Sequence, residues 1–372
     1  MLPQSTSPIE EYHLKGIVKY FEGDFEGAIQ MCNEVLQCNP KLPGAYYNRA
    51  LARWKKGEKV EALHDFNQAI LLSPREASLY FERGLLKQEQ GDFEDSLLDF
   101  TAAIHLEPDW IDPYAQRSYS KYKLGDFEGV IRDCSEILRY QPHYASAYFN
   151  RALAYTEKEC ISEAIREYSQ ALHYQPQLAL AWNNRGSLRA KQGDFEGAIR
   201  DCSIAIQLHP QNAKAYTNRG AAKHRKGDFS GAVFDYTEAL NLDETLISAY
   251  FNRALAYGAQ KQYSLALVDL NTAIHYEPLK PEYYYNRGNL WFQQKAFDLA
   301  LKDYTHALRF HPQNENLYFN RGLTYKSLEK PEAAQQDFEK YLILTQNHPD
   351  PHLQNLRSFL ISSEKLHVEE KS

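Results

Sequence analysis

The chain has 372 residues, a formal net charge of −7 and a pI near 6.0. That balance argues against a general binder of nucleic acid or anionic membrane, since both select basic surfaces. No run of about 18 apolar residues is present to cross a bilayer, and the five cysteines are odd in number with no Cys-x-x-Cys spacing.

Met1–Pro8 lacks the basic and apolar segments of a secretion signal and is expected to be a mobile tail. No Asn-x-Ser/Thr sequence occurs, and with the cysteine usage this makes a reducing cytoplasm the expected location. From Ile9 onward the sequence is periodic. Proline stands at 40, 74, 108, 142, 176, 210, 278 and 312, and Glu244 and Gln346 fill the two vacant slots of the 34-residue period. Ten such periods over 9–348 indicate one stacked array, where this length would otherwise suggest two or three globular domains. With proline set at position 32, the repeats are 9–42, 43–76, 77–110, 111–144, 145–178, 179–212, 213–246, 247–280, 281–314 and 315–348.

Each repeat reads as two helices. On the first, position 4 is always aromatic (Tyr12, Tyr46, Tyr80, Tyr114, Tyr148, Trp182, Tyr216, Tyr250, Tyr284, Tyr318) and position 8 always small, from Gly16 to Gly322. On the second, positions 20 and 27 are mostly alanine, with an aromatic usually at 24. The spacings 4–8–11 and 20–24–27 give each helix one packed stripe. Between the helices, a glycine at position 15 (Gly23, Gly57, Gly91, Gly125, Gly193, Gly227) can take a left-handed turn. The aspartate after it (Asp24, Asp92, Asp126, Asp194, Asp228) is placed to cap the second helix. Cys32, Cys134 and Cys202 occupy position 24 and read as small core residues. His105, His173 and His275 share position 29, and His209 and His311 share position 31, which points to helix-end roles.

An aromatic at 4, a small residue at 8, alanine at 20 and 27, an aromatic at 24 and proline at 32 together resemble the tetratricopeptide repeat family, over roughly nine tenths of the chain. The resemblance implies an all-α, right-handed superhelical solenoid of antiparallel helix pairs, about 20 repeat helices, whose first helices line a concave groove. Two positions depart from the family. Position 7, usually leucine, is arginine in nine repeats: Arg49, Arg83, Arg117, Arg151, Arg185, Arg219, Arg253, Arg287 and Arg321. Position 11, often tyrosine, is Lys or Arg in most of the first seven repeats (Lys19, Arg53, Lys87, Lys121, Arg189, Lys223).

The same nine repeats carry an acid at position 23: Asp65, Asp99, Asp133, Glu167, Asp201, Asp235, Asp269, Asp303 and Asp337. The first repeat lacks both, with Lys15 and Met31. Pairing between neighbouring repeats would strand Arg49 and Asp337, or Arg321 and Asp65. An ion pair inside each repeat is therefore expected, and a mated guanidinium is not free for phosphate or RNA.

Downstream, Asp350-Pro351 starts an expected capping helix over 349–366 with Leu353, Leu356, Phe359 and Leu360 on one face, followed by a mobile tail over 367–372. Phosphate-loop, metalloprotease and nucleophile-elbow motifs are all missing. The recurring Gly-Asp-Phe-Glu-Gly runs fall at the inter-helix turn and read as turn chemistry. No enzymatic activity, cofactor, metal or small-molecule substrate is expected.

The candidate site is the groove. Position 6 is asparagine in seven repeats: Asn48, Asn150, Asn184, Asn218, Asn252, Asn286 and Asn320, with Glu82 and Gln116 interrupting. A side-chain amide both donates and accepts, so such a row can bond the backbone of an extended peptide. It is similar to the asparagine ladder in the repeats of the O-linked N-acetylglucosamine transferases, without any match to their catalytic domain. It also resembles the position-6 asparagine of chaperone-binding cochaperones, whose lysine at position 5 is missing here. Position 5 instead places aromatics at Tyr47, Phe81 and Phe149, and again at Phe251, Tyr285 and Phe319, around a middle of Asn183 and Thr217 made basic by Lys191, Lys214, His224 and Arg225. Aromatic anchors of this kind are where binding energy concentrates. The expected function is a scaffold or adaptor that holds an extended segment of a partner protein. The alternative is a structural assembly subunit that uses its convex face or ends, with the groove unused.

Overall fold

The computed structural model describes residues 8–345, and all regular structure among them is helical. By contact the chain divides into two compact units, one reaching to Ala181 and one starting from Trp182. The first contains α1 (Pro8–Phe21), α2 (Phe25–Cys38), α3 (Pro43–Lys56), α4 (Lys59–Leu72), α5 (Ala77–Gln90), α6 (Phe93–Leu106), α7 (Ile111–Lys123), α8 (Phe127–Tyr140), α9 (Ala145–Glu157) and α10 (Ile161–Tyr174). The boundary falls inside α11 (Ala179–Lys191). The second contains α12 (Phe195–Leu208), α13 (Ala213–Lys226), α14 (Phe229–Leu242), α15 (Ile247–Ala259), α16 (Tyr263–Tyr276), α17 (Pro281–Gln293), α18 (Phe297–Phe310), α19 (Glu315–Ser327) and α20 (Pro331–Leu344). Odd-numbered helices are the first helices of their repeats and even-numbered ones the second. The capping helix expected over 349–366 and both tails lie outside the described residues.

The turn between paired helices is left-handed at position 15 in every repeat. Glycine takes it six times, with φ between 78° and 91°. Glu159, Lys261, Lys295 and Glu329 take it in the other four, at φ 57° to 62°. Of the aspartates that follow, Asp24, Asp126, Asp194 and Asp228 accept the backbone N–H three residues on, from Gly27, Gly129, Gly197 and Gly231. A Cβ on those glycines would stand 2.0–2.2 Å from the other oxygen, Oδ2, of the capping carboxylate, so the second glycine of each Gly-Asp-Phe-x-Gly run makes room for the cap. Asp92 departs from the expectation and makes no side-chain cap bond. Position 19 of its repeat is Asp95, whose side chain would take the space the carboxylate needs. His209 and His311 sit at the C-caps of α12 and α18, and His105, His173 and His275 in the last turns of α6, α10 and α16.

The core is a row of position-24 side chains set against the small residues of positions 8, 20 and 27. Phe66, Phe100, Tyr168, Tyr236, Tyr304 and Phe338 are fully buried. Burying each such ring contributes about 1.5–3 kcal/mol. The approach is close: a Cβ on Gly322 would meet the Phe338 ring at 2.7 Å. Cys32, Cys134 and Cys202 are buried and free, and burial pushes their thiols up to about 11, 12 and 12.

All nine ion pairs form within their repeats. Each arginine donates Nε and Nη2 to its own acid at 2.5–3.0 Å, in Arg49–Asp65, Arg83–Asp99, Arg117–Asp133, Arg151–Glu167, Arg185–Asp201, Arg219–Asp235, Arg253–Asp269, Arg287–Asp303 and Arg321–Asp337. The acids are almost wholly buried. The aspartates accept with both oxygens, which fixes the guanidinium plane, whereas Glu167 accepts both bonds on Oε2.

Four further contacts go beyond the sequence reading. The arginine lies over the position-4 ring of its own repeat at 4.6–5.8 Å, as with Arg185 over Trp182 at 4.6 Å and Arg219 over Tyr216 at 5.5 Å. Its Nη1 donates back to position 25 of the preceding repeat: Asn33 for Arg49, Asn67 for Arg83, Thr101 for Arg117, Ser135 for Arg151, Ser203 for Arg219, Thr237 for Arg253, Asn271 for Arg287 and Thr305 for Arg321. The position-11 cations Arg53, Lys87, Lys121, Arg189 and Lys223 bind the same acids, at 2.7–2.9 Å. The hydroxyl of the position-4 tyrosine also donates to the preceding repeat's proline carbonyl, as from Tyr80 to Pro74 and from Tyr284 to Pro278.

Asp235→Ala should therefore leave both Arg219 and Lys223 part-buried and without their acid, at a cost of ~3–5 kcal/mol. Removing the exposed Glu196 by the same change should cost less than ~0.5 kcal/mol. Urea unfolding of the two variants measures this, and equal midpoints would refute the ion-pair account. The capping glycines give a second comparison: Asp228→Ala should lose ~1 kcal/mol and Asp92→Ala only a few tenths, because Asp92 caps nothing.

Candidate functional site

Next-but-one helices touch in both units, and the pairs that do so (α1 with α3, α5 with α7, α13 with α15, α15 with α17, α17 with α19) are all odd-numbered. Within each unit, first helices of successive repeats thus form a common face. From the second repeat on, positions 3, 8 and 10 are buried in the packed layer and 4, 7 and 11 are engaged with it, which leaves 5, 6, 9, 12 and 13 to line this face.

All seven position-6 asparagines are half-buried. They differ in their bonds. Asn48, Asn150 and Asn252 make no side-chain hydrogen bond among the described residues. Asn218 donates to Asn183 Oδ1 at 2.9 Å, and Asn183 donates to Asn184 Oδ1 at 3.3 Å. Asn286 donates to its own helix, at the carbonyl of Glu282 (2.8 Å). Asn320 donates to the Tyr285 hydroxyl at 3.2 Å and to Asn289 Oδ1 at 2.9 Å. The amide row is therefore partly an intramolecular network, with acceptor or donor capacity left on most members.

Three clefts of about 240–250 Å³ lie between successive first helices, each with a position-6 asparagine on its rim. Asn150 borders one with Tyr119, Tyr122 and Leu153; Asn286 a second with Leu255 and Gly258; Asn320 a third with Phe292 and Leu323. Asn289 and Gln293 line both of the latter two. The sequence reading missed Asn289, Gln293, Tyr119 and Tyr122, because positions 12 and 13 vary from repeat to repeat and because Tyr119 and Asn289 depart from the leucine that five repeats carry at position 9. Asn289 is held by the Tyr304 hydroxyl at 2.7 Å, which no pattern in one chain announces.

The position-5 aromatics are half-buried rather than freely presented. Tyr47, Phe81, Phe149, Tyr285 and Phe319 each set one edge or face against the position-24 ring of their own repeat (Phe66, Phe100, Tyr168, Tyr304, Phe338), at centroid distances of 5.7–6.3 Å. Phe251 lies on Tyr283 of the following repeat at 5.0 Å, and Phe81 also on Trp110 at 4.6 Å. These rings are walls of the face as much as they are anchors. Burial pushes the Tyr47 hydroxyl up to about 12, and burial raises the Glu82 carboxyl with Lys55 opposing. In the second unit Lys191, Lys214 and Arg225 are exposed, while His224 is half-buried against Phe229 and is lowered by burial and by Arg225.

No group of three or more His, Cys, Asp or Glu side chains is placed to hold a metal among the described residues, and no described helix is long and apolar enough to cross a membrane.

Family models described as tetratricopeptide repeat match residues 43–76, 179–212, 213–246, 281–314 and 315–348, and one described as TPR repeat matches 153–193. No curated protein matches the chain. Among solved structures, the C-terminal part of a TPR repeat-containing protein from Cytophaga hutchinsonii is similar at TM-score 0.56 and 16% identity, over 64% of this chain and 98% of that one. A tetratricopeptide repeat protein from Parabacteroides merdae gives 0.51 and 20%, over 67% and 97%. A structure of the APC/C hetero-tetramer Cut9-Hcn1 gives 0.51 and 13%, over 95% and 96%. At these identities the likeness concerns the fold alone. The repeat matches, the helix pairs and the packed small-and-aromatic stripes agree: this chain belongs to the tetratricopeptide repeat family.

Proposed function

We propose that the chain is a non-enzymatic scaffold, at home in a reducing cytoplasm, that holds an extended segment of a partner protein along its first helices. The observation that carries this reading is the row of half-exposed amides on the rims of the clefts around Asn150, Asn286 and Asn320. An amide offers a peptide backbone both of the bonds it needs, whatever the side chains, and the clefts beside it can take the side chains. The five free cysteines fit the compartment. A ligand for the arginines is disfavoured, because every guanidinium of position 7 is held by a buried carboxylate.

The second reading, an assembly subunit working through its second helices, draws on the exposure of Phe234 and Val268 at position 22 of consecutive repeats, 58% and 61%.

A crosslinked partner identified by mass spectrometry would supply the segment for the test. One Asn→Ala change should weaken binding by ~0.5–1.5 kcal/mol. Changing Asn184, Asn218, Asn252 and Asn286 together should weaken it severely at unaltered helicity, because these side chains lie off the packed stripe. Unchanged affinity in the folded quadruple variant would move the site to the second helices and favour the assembly reading.

A further inference from the structure

The three clefts occupy equivalent places but differ in their walls. Each is built from positions 8, 9, 12 and 13 of one first helix, or a subset of them, and position 6 of the next. Around Asn286 the wall is aliphatic and polar without a ring, with Leu255, Leu270 and Leu290 beside Gly258, Ala259 and Gln293. Around Asn320 it is mixed, with Asn289, Gln293 and Phe292. Between α7 and α9 it is made of rings: Tyr119 and Tyr122 face Leu153 over a floor of Val130 and Ser118. The Ser118 hydroxyl is spent on the Ala115 carbonyl at 2.7 Å, so the floor behaves as apolar. What remains polar is the Asn150 amide on one rim and the Lys123 ammonium on the other.

Both rings are already held. Tyr122 bonds Glu157 Oε1 through its hydroxyl at 3.1 Å and meets Phe127 edge-on at 5.6 Å. Tyr119 lies 6.3 Å from Phe93 and carries the Lys123 ammonium over its face at 5.3 Å. A pocket with fixed walls binds without first having to order them. Its volume of about 240 Å³ exceeds that of an apolar cavity of ~150 Å³ able to hold benzene. Lys123 forms no ion pair among the described residues and rests only against the Tyr119 ring, while Glu157 accepts the Tyr122 hydroxyl and keeps its own charge.

We infer that this cleft is the side-chain selecting pocket of the groove, taking a phenyl-bearing residue of an extended partner segment with an acidic residue beside it. Asn150 bonds the segment's backbone, the phenyl ring enters between Tyr119, Tyr122 and Leu153, and the flanking carboxylate meets Lys123. The inference rests on the scaffold reading. A peptide is preferred to a free apolar molecule because the rim holds a backbone-matching amide and a cation, neither of which an apolar molecule would use.

The test uses the full chain, methyl- and amide-labelled for NMR, and the capped peptide Ac-Asp-Phe-Asp-NH2 as probe. The Leu153 methyl and Asn150 side-chain resonances should shift saturably. Ac-Asp-Ala-Asp-NH2 should bind at least about 10-fold more weakly, the loss expected for an unburied ring. Lys123→Glu, on an exposed residue, should weaken the acidic peptide about 5-fold and reverse the preference in favour of Ac-Lys-Phe-Lys-NH2. Leu153→Phe, which fills the cleft, should abolish the shifts in a protein of unchanged helicity. Equal binding of the Phe and Ala peptides at these resonances overturns the inference. So does saturation by benzyl alcohol without any shift from the peptide, which would make the cleft a small-molecule site. The scaffold reading fails separately, through Asn184, Asn218, Asn252 and Asn286, none of which lines this cleft.

Discussion

The arginine at position 7 is the constraint on which the rest of the stack depends. Its guanidinium is fixed by a carboxylate that is itself almost without exposure, so it cannot swing away to solvent. From that fixed position it does two more things: it covers the position-4 ring and it reaches back to position 25 of the preceding repeat. Arg219 shows all three, with Asp235 at 2.6–3.0 Å, Tyr216 at 5.5 Å and Ser203 at 3.2 Å. A buried ion pair adds little net stability over an apolar pair of the same volume, because desolvation offsets most of the attraction. Its directional bonds are worth more here as a register device. Leucine at this position would pack as well but would not specify which residue of the preceding repeat it meets.

A second device sits at the turn, and it explains why the repeats come in two kinds. Six repeats have Lys or Arg at position 11 and glycine at 15; the other four have Tyr155, Tyr257, Trp291 and Tyr325 at 11 and Glu or Lys at 15. In the first kind the position-11 chain runs down toward the turn. Lys19 pairs with the capping Asp24, and Arg189 reaches Asp194. A Cβ on Gly129 would stand 2.7 Å from Lys121 Cδ as well as 2.0 Å from the Asp126 oxygen. In the four repeats that carry all three, cation, capping acid and glycine at 19 form one interlocking set; the second and third repeats keep the cation and the turn glycine but have Glu61 and Asp95 at 19 and make no side-chain cap bond. The aromatic kind has no capping aspartate, and Arg253 and Arg321 lie over their position-11 rings instead.

The fold was legible because a periodic signal states each residue's environment ten times over. Arginine and acid varying together, absent together in the first repeat, identified the ion pairs without coordinates. The Nη1 bond to position 25 was not legible, since Asn, Ser and Thr alternate there and any of them is ordinary on a helix surface. The caps were readable by type but not individually: Asp92 looked equal to Asp228 until Asp95 was seen in the place of glycine. The face that bears on function was the least legible. Position 6 gave itself away by repeating asparagine. The cleft walls at 12 and 13 did not, because their residues differ from repeat to repeat.

That asymmetry follows from how the positions are shared out. Positions 3, 4, 7, 8, 10 and 11 are occupied in holding the stack, and 15, 16 and 19 in turning it. Only 5, 6, 9, 12 and 13 remain to vary on the first helices, and position 5 is itself half-engaged by the position-24 rings. A constant amide at 6 with changing neighbours at 9, 12 and 13 gives a face on which backbone contacts are uniform and side-chain contacts local. On the proposed scaffold reading, affinity accumulates over repeats on such a face, while selectivity is decided cleft by cleft. On that reading the cleft between α7 and α9, with two held rings and a cation that forms no ion pair among the described residues, has the most to select with.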